Sequence, residues 1–486
     1  MSDETVGENN VCADCVGDEY LRNEIATHGG EAACSYCEKT GRCFTVEELA
    51  DWLEAAFERH FQRTPTEPSG YEYALIKEGD LDWERRGDPT AFVIAGTARV
   101  DEAIAEDIQS VLEDRHYDFD EAAMGEESEY AADAYYAEAP SNDVEFQASW
   151  REFEKGLKAR ARYFSHQADA TLGMIFDGLS SLKTWQSEAA IRTIGPGTDV
   201  VKLHRARVFQ SDEKLRQALS DPERWIGSPA TEFAVAGRMN ARGISTFYGA
   251  SDKQTAVNEV RPPVGSRAVT AEFEILRPLK ILDVDILRSI YVEGSLFDPA
   301  HAGRLEKAKF LASLASRITK SIMPDDEPVD YLVTQVMAEY LAERADPPLD
   351  GIRYASAQGG SSSFNVALFN KAARVEPHRA PAGTKTEVNI YEQDEDGWHE
   401  SYSIWERVPK VEEVATPIKS GIPDFAAILS SSSRLDEDER DMTLRLDRPS
   451  LRVQHIETVT IVGHERHVLQ HQSELSANTS SSDDPF

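Results

Sequence analysis

The sequence predicts an α+β chain in which a zinc-stapled α-helical domain over residues 1–190 precedes an α+β domain over 195–375. Three observations predict it. All five cysteines fall within the first 43 residues, four of them in two knuckles. Apolar residues recur at helical spacing as far as about residue 190, then alternate with polar ones after the turn-rich "IGPGTD" at 194–199. A length of 486 residues exceeds what one hydrophobic core holds, so two or three domains are expected.

The knuckles come first. Cys12, Cys15, Cys34 and Cys37 read C-x2-C-x18-C-x2-C, a spacing at which four thiolates surround one structural Zn²⁺. Two disulfides would be the alternative, but an odd cysteine count in an intracellular chain argues against them. Cys43 is left over as a buried thiol. Thr45 and Glu48 then form a capping box ahead of Val46, Leu49, Leu53, Phe57 and Phe61. Ile104, Ile108, Val111 and Leu112 mark a second amphipathic helix. Residues 116–145 are acidic and weakly patterned, as expected of a loop or mobile segment. Phe146, Trp150, Phe153, Leu157 and Phe164 line a longer helix.

After the boundary, "VVKLHRARVF", "ISTFYGA", "RAVTAEFEI" and "LKILDVD" read as strands. Helices are expected near 302–321 and 328–344, and "DGIRYAS" and "NVALFN" as short buried strands. Residues 376–470 form an extension. "EVNIYEQDEDGWHESYSIWERV" suggests a hairpin and "MTLRLDRPSLRVQHIETVTIVG" two more strands, completing or flanking the sheet. Residues 471–486 lack apolar content and are expected to be disordered.

Asp plus Glu outnumber Lys plus Arg by 87 to 51, a net charge of −36. Such a surface repels phosphate backbones, which disfavours nucleic acid as a partner. No apolar run reaches the roughly 18 residues of a membrane span. "MSDETVGENN" has neither a basic n-region nor an apolar h-region, so no secretory signal and a cytoplasmic location are expected. An anionic ligand would need arginines concentrated in a cleft.

One stretch gathers such chemistry: "GRMNARGISTFYGASDKQTAVNEV", residues 237–260. Ser251 opens an S-x-x-Q capping box, so a helix should start there. Ala256, Val257 and Val260 form its buried stripe, and Glu259 falls at the stripe's border. Tyr248 immediately precedes the turn into this helix. Arg238 lies on the glycine-containing turn before the strand. Arg205 lies mid-strand in "LHRAR", where an arginine needs an anion nearby. Ser356 ends the strand "GIRYAS". A buried Arg205–Glu259 ion pair beside a core tyrosine would be the purely structural alternative.

These motifs, in this order, resemble the RES domain family, named for an arginine, a glutamate and a serine. Arg205, Glu259 and Ser356 occupy the naming positions and Tyr248 the family tyrosine. Arg238 and Asn240 match its G-R-x-N turn, with Met239 where an aromatic is common. The resemblance covers about residues 200–375. "VCADCVGDEYLRNEIATHGGEAACSYC" and "ARARYF" are similar to the zinc-containing, HEPN-like domain that precedes some RES domains. The resemblance implies a fold like that of ADP-ribosyltransferases and catalytic roles for Arg205, Tyr248, Glu259 and Ser356. It implies substrate binding by Arg238 and Asn240, with NAD⁺ consumed as substrate by a glycohydrolase or phosphorylase. It also implies a toxin of a toxin–antitoxin or defence system, restrained by a cognate antitoxin or regulatory protein. Protein ADP-ribosylation is the runner-up activity. A HEPN-type ribonuclease using Arg160 and His166 is a third possibility, and an interaction module with a silent RES domain is a fourth. A fragment starting near residue 195 is expected to keep the NAD⁺ site.

Overall fold

The computed structural model describes residues 6–468 except 79–82, 118, 120–126, 140–142, 161, 163–164, 321–325, 357–362, 396, 410–437 and 461–464. The tail expected to be disordered, and part of the acidic 116–145 stretch, lie outside the described residues. Among those described, no helix is long and apolar enough to cross a membrane.

Asn10–Cys12, Gly30–Ala33 and Thr40–Thr45 form a small sheet that holds Cys12 and Cys43, with Cys15, Cys34 and Cys37 on the turns beside it. Thr45 then caps helix α1 (Val46–His60). Its hydroxyl accepts from Glu48 N at 3.1 Å, and the Glu48 carboxylate accepts from Thr45 N at 2.8 Å. Two orphan amides of the first turn are thereby satisfied. Leu49, Leu53 and Phe57 share one face and pack against Ile104, Ile108 and Leu112 of α2 (Glu102–Arg115), forming the first core. Phe61 does not continue the helix. It opens a strand, Phe61–Arg63, paired with Tyr135–Glu138 inside the stretch expected to be a loop. Helices α3 (Val144–Ala159) and α4 (His166–Phe176) follow.

The rest of the chain is built on one eight-stranded sheet. In chain order its parts are β1 (Ile191–Ile194), β2 (Lys202–Phe209), α5 (Asp212–Ser220), β3 (Phe247–Ala250), α6 (Lys253–Glu259), β4 (Arg267–Ile275) and β5 (Leu279–Asp283). Then come α7 (Pro299–Thr319), α8 (Glu327–Glu343), β6 (Gly351–Ala355), β7 (Phe364–Leu368) and β8 (Leu444–His455). The strand order is β8-β4-β2-β3-β7-β6-β5-β1, antiparallel except for β5 beside β6. The residues read as two C-terminal strands are this single strand β8. It carries Pro449 because the register shifts between Thr270 and Glu272, a bulge that takes the imino group out of the ladder. The hairpin Lys385–Asp394 with Gly397–Arg407 is a sheet of its own. The extension therefore both completes the main sheet and flanks it.

β2 pairs with β4 along its length, and β3 with β7 at four positions. Between β2 and β3 one pairing is made, Ala250 opposite His204. The main sheet thus parts at its middle. One face packs a core of Leu203, Phe247, Phe273 and Leu368 with Leu215 of α5 and Ile390 of the hairpin. On the other side Phe310 and Leu314 of α7 and Met337 and Leu341 of α8 meet Trp150, Phe153 and Leu157 of α3 and Leu172, Ile175 and Phe176 of α4. Helices α3 and α4 therefore share a core with the sheet domain, not with α1 and α2.

Where the two parts meet, Phe297 enters the first core, and Ser295 Oγ donates to Asp18 Oδ1 at 2.8 Å. His60 of α1 and His301 of α7 lie at this junction, each with a ring nitrogen lacking a hydrogen-bond partner. Burial holds both below the ordinary histidine range. The charge of His301 further lowers His60, and that of Arg304 further lowers His301. The unfolded chain takes up protons on these rings near pH 6.5 and the folded chain at lower pH, so stability falls as pH drops below about 6.5. Thermal melts from pH 7 to about 5 should show this loss, and His301→Gln should reduce it. A slope unchanged in that variant would exclude the pair as its source.

Candidate active-site cleft

The gap between β2 and β3 opens into a cleft of about 930 Å³ lined by Arg205, Arg207, Arg238, Tyr248, Glu259, Tyr331, Tyr354 and Asn365. Arg205 is 8 % exposed. Because β3 has little pairing with β2, its Tyr248 carbonyl is free to accept from Arg205 Nη1, at 3.0 Å. The guanidinium lies over the Phe247 ring, 4.9 Å from its centroid, and its Nε has no partner. Burial, and then the neighbouring charge of Arg207, pull its pKa down to about 9.

Helix α6 delivers Glu259 to the floor. It starts one residue later than the S-x-x-Q pattern predicts. Asp252 is the cap, accepting from Thr255 N at 2.9 Å, and Ser251 Oγ donates to that carboxylate at 2.8 Å. A charged acceptor at the positive end of the helix outcompetes a hydroxyl. Glu259 Oε1 accepts from Ser356 Oγ at 3.0 Å and from Asn365 Nδ2 at 2.7 Å. Among the described residues no ion pair joins Arg205 to Glu259, so the buried pair considered from the sequence does not occur.

The Gly-Arg-Met-Asn turn is spent largely on the chain itself. The Tyr248 hydroxyl donates to Asn240 Oδ1 at 2.7 Å and accepts from Met239 N at 3.0 Å, and burial pushes its pKa up to about 12. The Asn240 amide donates to the carbonyls of Val235, Ala241 and Ile244. A Cβ on Gly237 would lie 2.7 Å from Asn240 Oδ1 and 2.8 Å from the Tyr248 hydroxyl, so only glycine fits. Met239, in the position where an aromatic is common, is 3 % exposed in the core beneath. Arg238 lines the cleft, but its guanidinium donates to the carbonyls of Ile318 and Lys320 at the end of α7.

The family profile of the RES domain matches residues 202–389, and that of HEPN/RES N-terminal domain 1 matches 27–171. Residues 202–389 are thus a RES domain. RES domains are associated with NAD⁺-acting enzymes. Neither the curated proteins nor the solved structures yield a match.

Of the three residues read as the RES naming positions, Arg205 and Glu259 thus line one cleft, and Ser356 meets it through its bond to Glu259. Sequence reasoning missed Asn365 as a site residue, although it opens the matching "NVALFN" stretch. It missed Tyr354, two residues before Ser356, and Tyr331 on α8. It also missed Arg207, which the two-residue strand period places on the same face as Arg205. The HEPN/RES match ends inside α4, whose apolar face packs on the RES helices. Arg160 caps the C-terminal end of α3 and pairs with Glu152 at 2.8 Å, and His166 starts α4. Neither lines the cleft.

Near the start of the chain, the sulfurs of Cys12, Cys15, Cys34 and Cys37 all lie within 4.8 Å of one another, and Cys34 and Cys37 fall inside the HEPN/RES match. Neighbouring pairs are 3.5 Å (Cys12–Cys37), 3.7 Å (Cys12–Cys15) and 3.8 Å (Cys15–Cys34) apart. A tetrahedron with Zn–S of about 2.3 Å has S···S edges of roughly 3.8 Å, so the donor set fits zinc. Burial acts to raise the Cys34 thiol, but the amides of Cys12, Tyr36 and Cys37 outweigh it and hold its pKa at about 6.

Proposed function

We propose that the RES cleft takes NAD⁺ as substrate and that the chain is an NAD⁺ glycohydrolase or phosphorylase. The carrying observation is Glu259. Ser356 and Asn365 both bind its Oε1, which fixes the carboxylate while Oε2 takes neither bond. A carboxylate so oriented stabilises the oxocarbenium-like ribosyl cation as nicotinamide departs as a neutral leaving group. Ser356, with no base in its motif, serves as a positioning hydroxyl. Tyr248 shapes the ribose end of the cleft. Arg238 and Asn240 hold the turn that places Tyr248. Water at the ribosyl carbon gives ADP-ribose and a proton, phosphate gives ADP-ribose 1″-phosphate, and a protein side chain gives ADP-ribosylation.

The test is to incubate the full chain with NAD⁺, with and without phosphate, and with RNA, and to follow nicotinamide, the ribosyl products and RNA length. Nicotinamide release supports the proposal, and the product identifies the acceptor. Intact NAD⁺ with cleaved RNA would transfer the activity to Arg160 and His166. A chain that consumes NAD⁺ in its own cytoplasm needs a restraint. We take this to be an antitoxin-like partner that covers the cleft, as expected of a toxin.

Structural zinc belongs to the same proposal. Cys12, Cys15, Cys34 and Cys37 would hold it, and it would supply folding free energy rather than catalysis. One zinc per chain is expected by elemental analysis. A strong chelator should lower the melting temperature of the N-terminal part. Metal-free protein with an unchanged melt would overturn this.

A further inference from the structure

We propose that Arg207 is a second anion-binding group of the cleft and that, with Arg205, it forms a paired-guanidinium seat for the diphosphate of the dinucleotide. This rests on the NAD⁺ reading and deepens it, since it names what recognises the part of the substrate that does not react.

Arg205 and Arg207 are two residues apart on β2, and both line the cleft. Strand geometry sets their Cα atoms about 6.6 Å apart with side chains on one face. That spacing lets one guanidinium serve each phosphoryl group. β2 is held by β4 at eight successive positions, Lys202 to Phe209, so the pair is rigidly presented.

What surrounds the two arginines is as informative as their spacing. Elsewhere in this domain several half-buried arginines meet carboxylates. Arg192 and Arg353 reach Asp283, Arg267 reaches Asp212 and Glu400, and Arg448 reaches Glu223 and Glu406. Arg205 bonds one carbonyl, and the Arg207 guanidinium makes no hydrogen bond or ion pair among the described residues. In a chain with 87 acidic residues, two adjacent cations without a carboxylate are an unrelieved cost. Burial lowers the pKa of both, and the charge of Arg207 lowers that of Arg205 further. A ligand carrying two negative charges removes that repulsion, and bidentate guanidinium–phosphate contacts add to it. The sequence pattern points to Arg238 as the partner of Arg205. Its bonds to Ile318 and Lys320 leave Arg207 as the better-placed group.

The experiment measures binding of pyrophosphate, ADP-ribose, ADP and AMP to the full chain and to Arg207→Gln and Arg207→Lys, by calorimetry. Arg207→Gln should weaken the three diphosphate ligands by about 10- to 100-fold and AMP much less. Arg207→Lys should recover part of the loss. With NAD⁺ as substrate, the Arg207→Gln loss should appear in KM rather than kcat, because the diphosphate is bound alike in the ground and transition states. The variant should melt no lower than wild type, since no partner is left stranded, so misfolding is not a confounder. If Arg207→Gln binds ADP-ribose and pyrophosphate as wild type does, the seat is wrong even where NAD⁺ is cleaved. If wild type binds pyrophosphate through Arg207 but leaves NAD⁺ intact, the seat stands and the NAD⁺ reading fails. Binding of none of the four probes overturns both.

Discussion

Glu259→Gln should cut NAD⁺ cleavage by on the order of 10²–10³ while leaving melting temperature and NAD⁺ affinity close to wild type. The substitution keeps an oxygen that Ser356 and Asn365 can still reach, so the floor of the cleft survives. It removes the negative charge, which matters only when positive charge develops on the ribose. The contrary case is an arginine that depends on Glu259. Neutralising one partner of a buried ion pair costs about 3–5 kcal/mol of stability. Arg205 instead donates to the Tyr248 carbonyl, at 3.0 Å, so no such penalty is expected. A variant that melts far lower than wild type yet turns over NAD⁺ normally would reverse the assignment and make Glu259 a packing residue.

Deleting residues 1–190 should abolish soluble expression, whereas a chain beginning near residue 143 should fold. The first cut removes Trp150, Phe153, Leu157, Leu172, Ile175 and Phe176 from the core they share with Phe310, Leu314, Met337 and Leu341. Burying a large apolar side chain contributes about 1.5–3 kcal/mol. Six of them match or exceed the roughly 5–15 kcal/mol that holds a typical domain together. The exposed apolar face would also drive aggregation. The second cut keeps α3 and α4 and uncovers little beyond Phe297 and His301. Soluble yield and the cooperativity of the melt decide between them. A soluble 195–486 fragment that melts cooperatively and cleaves NAD⁺ would show that the shared core is dispensable.

That expectation reverses the one drawn from sequence, for a physical reason. The stripe of Trp150, Phe153 and Leu157 says that α3 is buried but not against what. Periodicity is a property of one element, and its partner is a property of the whole fold. Local chemistry was legible: the Thr45–Glu48 box, the alternation of "RAVTAEFEI" and the cysteine spacing each depend on neighbours in the chain. The Glu259–Ser356 contact spans 97 positions and was anticipated only through the order of motifs. Arg207 was invisible because its interest lies in a missing carboxylate, which no pattern of residues records. The strand Tyr135–Glu138 was hidden by acidic flanks, and β8 was read as two strands because a bulge around Pro449 interrupts its alternation.

The late position of β8 sets the order in which the cleft is finished. It is the last described strand in the chain, yet it pairs along β4, the strand that braces the arginine-bearing β2. While the ribosome is still making the hairpin and the residues after it, β4 has a bare edge whose amides and carbonyls lack partners. The arginine-bearing side of the cleft is therefore braced only after the hairpin and the residues that follow it have been made. A chain that stops before β8 carries every RES motif but lacks the strand that stiffens them. On the NAD⁺-consuming reading proposed above, this late bracing would keep a chain that stops before β8 from acting.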